Sequence, residues 1–382
     1  MQNFVYHNPT KVAFGKGSIS KLSNLLPKAK ILLLYGGGSI KKNGIYQQVC
    51  EQLEGHQWCE FSGVEANPEY TTLMQAVSLC KQENIEFILA VGGGSVIDGA
   101  KFVAAAVNYA GEPWDILAKG EPVMSAIPLG CVLTLPATGT ETNTASVVTR
   151  SELGQKLSFL CDHVRPQFAV LDPEATYSLP QRQLANGVVD AFVHVMEQYL
   201  TYPVGATVQD RFAEAILTNL LEVGPKVLAS QDYETRANLM WNATQALSGL
   251  IGAGVPQDWS THMIGHELTA LHNLDHAVTL AIILPSVMQY QRQHKREKLL
   301  QYAQRVWGLS LYDEEGAIDL AIEKTAQFFR DMGIKTSLSD YGIEPSVADE
   351  VAARLQKNGF TQLGEKQNIS PEDARKIVAA SV

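Results

Sequence analysis

Apolar residues in the first half of the chain occur in short runs that end in glycine. The runs at Ile31–Tyr35 and at 85–91 are each followed by Gly-Gly-Gly-Ser, after which the spacing of apolar residues becomes helical. A third run, at 131–135, leads into a loop rich in threonine and glycine. Repetition of strand, glycine turn and helix is typical of a parallel α/β sheet. The pattern therefore predicts an α/β domain over residues 1–178.

The second half of the chain has a different pattern. Helical periodicity dominates from about residue 179 to the C-terminus, with segments at 182–199, 206–221 and 233–250 and no comparable strand run. Pro173 and Pro180 flank a polar turn just before this change. We therefore predict a second, all-helical domain over residues 179–382.

Histidine is concentrated in two segments of the helical half. Three pairs of polar residues four positions apart lie there: Asp190 and His194, His262 and His266, and His272 and His276. On a helix this spacing puts both members of a pair on one face. An isolated pair of this kind is more often a hydrogen-bonded pair at the surface. Here the residues between Asp190 and His194 are apolar, which predicts a buried helix, and buried carboxylates and imidazoles need partners.

A divalent metal accounts for this clustering. Imidazole nitrogens and one carboxylate oxygen suit an ion such as Zn²⁺ or Fe²⁺. The motif is not that of a peptidase, because the segment from His262 to His266 lacks the internal glutamate of those motifs.

Two glycine turns are candidates for binding phosphate. A glycine run at the end of a strand lets backbone N–H groups approach a phosphate, and the following helix adds a favourable dipole. The turn that begins at Gly92 fits this description, with Asp98 placed as a capping group or as a partner of a ribose or a cation. Alone it reads equally well as a tight strand-to-helix turn.

The turn at Gly36–Ser39 carries information about the cofactor. An acidic residue near this position in dinucleotide sites binds the ribose hydroxyls, whereas a cation accepts a 2′-phosphate. The turn holds glycines, a serine and then Lys41 and Lys42, with no acid before Glu51. This favours NADP(H), although two lysines at a solvated helix start are also common. The hydroxyl-rich loop at 134–143 suits a ribose or a nicotinamide amide, but such residues are ordinary turn formers too.

Composition excludes some classes of function. The net charge of −10 argues against nucleic acid or an anionic membrane as the main partner. No apolar run approaches the ~20 residues that span a bilayer, and the N-terminus does not resemble a signal peptide. The five cysteines are irregularly spaced, which indicates reduced thiols in a cytoplasmic protein.

Together these segments resemble the iron-containing (group III, metal-dependent) alcohol dehydrogenases, most closely their NADPH-dependent aldehyde reductase and butanol dehydrogenase branch. The likeness covers essentially the whole chain. It is carried by Phe14-Gly15-Lys16-Gly17, by Gly92–Ser95 with Asp98 and Lys101, by the loop from Thr134 to Glu141, and by the series Asp190, His194, His262, His266 and His276.

The resemblance implies a fold like that of dehydroquinate synthase: a dinucleotide-binding α/β domain, then an all-helical metal-binding domain, with the active site in the cleft between them. It implies a homodimer. The implied metal ligands are Asp190, His194, His262 and His276, and His266 lies near the nicotinamide. The implied cofactor contacts are Gly36, Gly37, Gly38, Ser39, Gly92, Gly93, Gly94, Ser95, Asp98, Thr134, Thr138, Asn143 and Lys156; the charge argument adds Lys42.

One departure from the family pattern bears on the cofactor. NAD-using members carry an aspartate where this chain has Gly36-Gly37, so the resemblance too implies NADP(H). The ligand set does not choose between zinc and iron.

The implied reaction is reversible reduction of an aldehyde to a primary alcohol by hydride transfer from NADPH, with the metal polarising the carbonyl and His266 relaying a proton. His272 is unassigned. A lyase of the dehydroquinate synthase type is an alternative, but its anionic substrate needs several cations, and residues 243–271 contain no lysine or arginine. An NAD-preferring alcohol or polyol dehydrogenase of the same fold is another. A non-catalytic nucleotide-binding protein would not need the histidine set.

Overall fold

A computed structural model describes residues 1–382. Its strands are β1 Lys11–Phe14, β2 Ile31–Tyr35, β3 Trp58–Phe61, β4 Phe87–Gly93, β5 Leu129–Leu135, β6 Ala145–Arg150, β7 Gln155–Leu160 and β8 Phe168–Leu171. Its helices are α1 Ser39–Lys42, α2 Ile45–Gln52, α3 Tyr70–Glu83, α4 Gly94–Val107, α5 Asp115–Ala118, α6 Gln181–Tyr199, α7 Thr207–Ala229, α8 Tyr233–Ala246, α9 Ser260–His272, α10 His276–Tyr290, α11 Arg296–Arg305, α12 Glu314–Asp331, α13 Val347–Lys357 and α14 Pro371–Ala379.

Six strands form one parallel sheet in the order β1-β8-β5-β4-β2-β3. The central strands β2, β4 and β5 are almost entirely buried, as the continuous apolar runs of a sheet covered on both faces require. β6 and β7 pair antiparallel as a separate hairpin. The predicted class, a parallel α/β domain followed by an all-helical domain, is confirmed.

The sequence pattern did not predict β1, the hairpin strands or β8. Strand β1 has four residues and lies at the edge of the sheet, where only one neighbour constrains it. Strand β8 is equally short, although all four of its residues are buried. Strands β6 and β7 alternate buried and less buried positions and lack the long apolar run that marks the central strands.

The chain folds into two compact units, one of residues 7–180 with 231–244 and the other of residues 1–6, 181–230 and 245–382. The predicted boundary divides the chain once, between residues 178 and 179. In the structure, residues 1–6 belong to the helical unit and residues 231–244 to the sheet unit. Residues 1–6 join the helical unit because the main-chain N–H of Gln2 donates to Gly254 O at 2.9 Å. Most of α8 joins the sheet unit because Thr244 bonds to Glu141 and Tyr233 to Lys16.

Within the helical unit, α10 packs against both α6 and α9, and these three helices carry the histidine segments. Helix α6 is buried along most of its length, from Leu184 to Tyr199. Helices α9 and α10 approach closely at Gly265, where a Cβ atom would come within 2.8 Å of the Thr279 hydroxyl. This close packing brings residues that are far apart in sequence into one buried region.

No helix of the chain is both long and apolar enough to cross a membrane.

Candidate metal centre and nucleotide-binding edge

The first two candidate ligands lie one turn apart on α6. The side chains of Asp190 and His194 are 5% and 6% exposed, and the distance from His194 Nδ1 to Asp190 Oδ1 is 3.4 Å. Two ligand atoms in a tetrahedral set with bonds of ~2.0–2.1 Å are separated by about this distance. The four-residue spacing therefore places Asp190 and His194 at a separation that allows both to bind one ion.

Helices α9 and α10 supply the other two candidate ligands. The ring of His262 lies 4.7 Å from that of His194, and the His276 ring lies 5.2 Å from that of His262. His276 Nε2 is 3.7 Å from Asp190 Oδ1. All four side chains predicted as ligands are thus close together, and the ligand atoms of Asp190, His194 and His262 lie within 4.8 Å of one another.

The chemistry of this cluster fits a divalent cation. Burial lowers the pKa of His194 to about 4, so its imidazole is neutral at neutral pH, as a metal ligand must be. Its Nδ1 is buried and makes no hydrogen bond. Three neutral imidazoles and one carboxylate match zinc or iron(II).

His266 lies beside the cluster rather than within it. Its ring is 5.3 Å from the His276 ring and 6.4 Å from the His262 ring. The side chain is buried on α9 one turn after His262. This position suits a group that acts next to the metal. His272, at the end of the same helix, is exposed.

Trp259 forms part of the wall around the cluster. Its ring lies 5.2 Å from the His262 ring and 6.1 Å from that of His194. The residue precedes α9 in the left-handed backbone region, with φ of 65°, which is uncommon for a bulky side chain. Backbone strain of this kind is often found at functional sites.

The two glycine turns that are predicted to bind the nucleotide lie at a single edge of the sheet unit. Strands β2 and β4 are parallel neighbours, with Tyr35 opposite Val91, so the turns that follow them lie side by side. The sheet order also reverses here, because β3 lies on one side of β2 and β4 on the other. Ligands of open α/β sheets bind outside the carboxyl ends of the strands at such a switch point.

The loop after β5 reaches the same edge. Thr138 packs against Gly94, where a Cβ would come within 2.6 Å of the Thr138 hydroxyl. Thr134 is buried near the end of β5. The predicted contacts of the two glycine turns and of this loop are therefore brought together within the sheet unit.

Asp98 and Asn143 are engaged in a buried network. Asp98 lies in the second turn of α4 and accepts hydrogen bonds from the Thr140 hydroxyl at 2.6 Å and from Val147 N at 3.1 Å. It is therefore not a helix cap. The Lys101 ammonium donates to Thr140, Asn143 and the carbonyl of Ala145. Only the amide nitrogen of Asn143 remains to contact a cofactor, since Ala145 N also donates to its oxygen.

The sequence motif contains Lys101 but does not indicate its structural function, which is to bond the loop after β5 to α4. Burial lowers its pKa to about 8. Lys156, predicted as a cofactor contact, is buried on β7 and donates to Asn67 Oδ1 at 3.1 Å. Lys156 thereby ties the hairpin to the loop that follows β3.

The cations near the first turn differ in their surroundings. Lys41 Nζ lies 3.6 Å from Glu60 Oε1 and 4.5 Å from the centroid of the Tyr46 ring. Lys42 is exposed. Sequence analysis missed Glu60 because this acid is distant in sequence and reaches the edge through β3, which pairs with β2. Tyr46 OH donates to Glu60 at 2.7 Å, so Glu60 has partners within the unit.

Comparison with known families decides the relationship. The model of the iron-containing alcohol dehydrogenases matches residues 9–173, and that of the C-terminal domain of the Fe-containing alcohol dehydrogenase family matches residues 184–382. This chain belongs to the iron-containing alcohol dehydrogenase family. The resemblance inferred from the motifs is confirmed.

Members of the family are similar along the full length of the chain. It is 54% identical to the NADPH-dependent aldehyde reductase YqhD of Escherichia coli, covering 100% of both chains. A crystal structure of YqhD superposes with a TM-score of 0.98, covering 100% of this chain and 99% of the other. The NADH-dependent butanol dehydrogenase A of Thermotoga maritima is 35% identical, with a TM-score of 0.96 and the same coverage.

Proposed function

We propose that this chain reduces aldehydes to primary alcohols, reversibly, with NADPH as hydride donor and one divalent metal ion. The observation that carries the proposal is the buried group of Asp190, His194 and His262 in a chain that matches an NADPH-dependent aldehyde reductase from end to end. His276 completes the proposed ligand set. NADPH and the metal account for both sets of residues predicted from the sequence.

When bound, the metal supplies Lewis-acid polarisation of a carbonyl oxygen and NADPH supplies the hydride. The residues of the chain hold these groups and control protons and water. Asp190, His194, His262 and His276 hold the ion. The glycine turns after β2 and β4 offer main-chain N–H groups to the cofactor phosphates.

His266 provides the proton in this proposal. The product oxygen gains a proton after hydride transfer, and an imidazole can donate one near neutral pH. The His266 ring lies 5.3 Å from the His276 ring and 6.4 Å from the His262 ring, beside the proposed ligands. His266 would transfer this proton directly or through water.

The surroundings of the metal cluster favour a neutral substrate. The Trp259 ring lies close to the rings of His194 and His262. Residues 243–271 contain no lysine or arginine. A lyase acting on a substrate with carboxylate and phosphate groups would need cations there. An uncharged aldehyde needs an apolar wall that excludes water.

A panel of aldehydes assayed with NADPH and NADH, on protein of measured metal content, tests the proposal. We expect oxidation of NADPH matched by formation of an equal amount of alcohol. Turnover of a phosphorylated acid without net consumption of NADPH would instead indicate the lyase.

The proton-relay assignment makes a separate prediction. We expect His266→Ala to retain the metal and to lose rate by ~10²-fold, the lower range for a positioned acid or base. Metal analysis and kcat measured on the same preparation check both parts. Loss of the metal in this variant would show that His266 is itself a metal ligand.

The proposal extends to a homodimer in the cytoplasm. The five cysteines form no disulfide, as suits a reducing compartment. Light scattering on the purified protein tests the dimer, and a mass corresponding to one chain would contradict it.

A further inference from the structure

Glu197 contacts a proposed metal ligand twice. It lies on α6, three residues after His194, and is 2% exposed. A single carboxylate oxygen, Oε1, lies 3.0 Å from the main-chain nitrogen of His262 and 3.1 Å from its ring Nδ1. One side chain of α6 thus fixes both the backbone and the imidazole of a residue on α9.

This double contact determines which ring nitrogen carries the proton. The main-chain N–H can only donate, so Oε1 acts as an acceptor. With that oxygen accepting, Nδ1 of His262 completes the second contact by donating its own proton. The neutral ring then has its lone pair on Nε2, and this is the atom it can offer to a metal. The assignment applies to Glu197 ionised or protonated at its other oxygen, since a proton on Oε1 would be donated to Nδ1 instead.

The backbone around Glu197 makes this contact rigid. The carbonyl of Glu197 accepts a hydrogen bond from Asp258 N at 2.9 Å, just before α9 begins. The Asp258 carboxylate in turn accepts from Ser260 N at 3.0 Å and lies 2.8 Å from Lys295 Nζ. Lys295 is buried and also bonds to the carbonyl of Leu200 at 2.6 Å. The start of α9 is therefore tied to α6 and to the segment that follows α6.

We propose that Glu197 is a positioning residue for the metal centre, which fixes the tautomer and the ring orientation of His262 so that Nε2 faces the ion. The inference rests on the proposed function, in that it requires metal at this cluster. Hydrogen bonds from a ligating histidine to a carboxylate typically tune metal affinity in this way.

The test compares the affinity of four proteins for Zn²⁺ by competition with a chelator of known affinity. We expect Glu197→Leu, which has no acceptor, to bind Zn²⁺ ~10–100-fold more weakly than wild type. Glu197→Gln keeps a carbonyl oxygen that can accept both N–H groups, so it should recover most of this loss. Glu214→Leu is the matched control, because Glu214 is a buried carboxylate bonded to Tyr199 and Arg305 and touches no proposed ligand. It should bind Zn²⁺ like wild type.

A measurement on the wild-type protein keeps the proposal testable if Glu197→Leu fails to fold. Long-range ¹H–¹⁵N spectra of the Zn²⁺ form, labelled at histidine nitrogen, should show His262 protonated at Nδ1 and metal-bound at Nε2, with the signal assigned by sequential backbone correlations. Ligation through Nδ1 would overturn the proposal, as would unchanged affinity in a folded Glu197→Leu. A wild-type protein that binds no Zn²⁺ or Fe²⁺ would instead refute the proposed function itself, and the two failures are thereby distinguished.

Discussion

Replacing His194 or His262 by alanine is expected to remove the bound metal and, with it, nearly all activity. Each residue is a proposed metal ligand and belongs, with Asp190, to a buried group whose ligand atoms lie within 4.8 Å of one another. Loss of Lewis-acid assistance of several kcal/mol predicts a fall in turnover of ~10³-fold or more, because about 1.4 kcal/mol corresponds to a factor of ten. Metal content by elemental analysis and kcat with an aldehyde should fall together.

His294→Ala is the matched control for these variants. His294 is an exposed histidine of the same helical unit, outside the cluster. It should retain both metal and turnover. Chelation of the native protein should inhibit it, and added Zn²⁺ or Fe²⁺ should restore activity. Full metal occupancy and near-normal turnover in both His194→Ala and His262→Ala would show that the metal does not bind at this cluster.

Gly37→Asp is expected to erase or reverse a preference for NADPH. The native turn offers backbone N–H groups, the Ser39 hydroxyl and the exposed Lys42 to a 2′-phosphate. One or two charge-assisted hydrogen bonds of ~1.5–3 kcal/mol predict a native preference of roughly ten- to a thousandfold. An aspartate would accept the ribose hydroxyls of NADH and repel the phosphate of NADPH. Space is available, since nothing lies within 4 Å of a Cβ built at Gly37.

Two further variants separate charge from shape. Gly37→Asn adds a side chain of the same size as aspartate but without its charge. It should therefore lower kcat/KM for NADPH less than Gly37→Asp does. Lys42→Ala should lower kcat/KM for NADPH and leave kcat/KM for NADH nearly unchanged. Lys28→Ala changes an exposed lysine elsewhere on the sheet unit and should change neither value. The quantity to measure is kcat/KM with both cofactors. A native protein that prefers NADH would contradict our reading of this turn.

The surroundings of Lys41 explain why Lys42 is the informative cation. Lys41 has Glu60 and the Tyr35 and Tyr46 rings as neighbours, so part of its charge is already compensated within the protein. A phosphate would have to compete with Glu60 for it. This contact crosses from α1 to β3 and could not be foreseen from the local sequence.

Strong periodic segments made most of the fold predictable. The predicted bounds of β2 match the structure, and those of α6 differ by one residue, because buried elements repeat their apolar spacing. Short elements were missed. Strand β1 depends on its pairing with β8, about 150 residues later in the chain, and local sequence contains no record of such a partner.

The proposed ligands could be found from the sequence because helical spacing puts Asp190 and His194 together before any tertiary contact is known. Their association with His262 and His276 came from the family resemblance, and the structure adds the geometry. Glu197 was not foreseen. Its spacing from His194 was visible, but its partner lies on another helix, and nothing in the sequence distinguishes such a carboxylate from one that pairs within α6.

The most direct test of the central claim is a titration of metal into chelated protein, with NADPH oxidation and alcohol formation followed together in the presence of one aldehyde. We predict that both rates rise in proportion to added Zn²⁺ or Fe²⁺ and level off at one equivalent per chain, with one alcohol formed per NADPH consumed. Full aldehyde reduction by the metal-free protein, or a level of activity independent of added metal, would contradict the account.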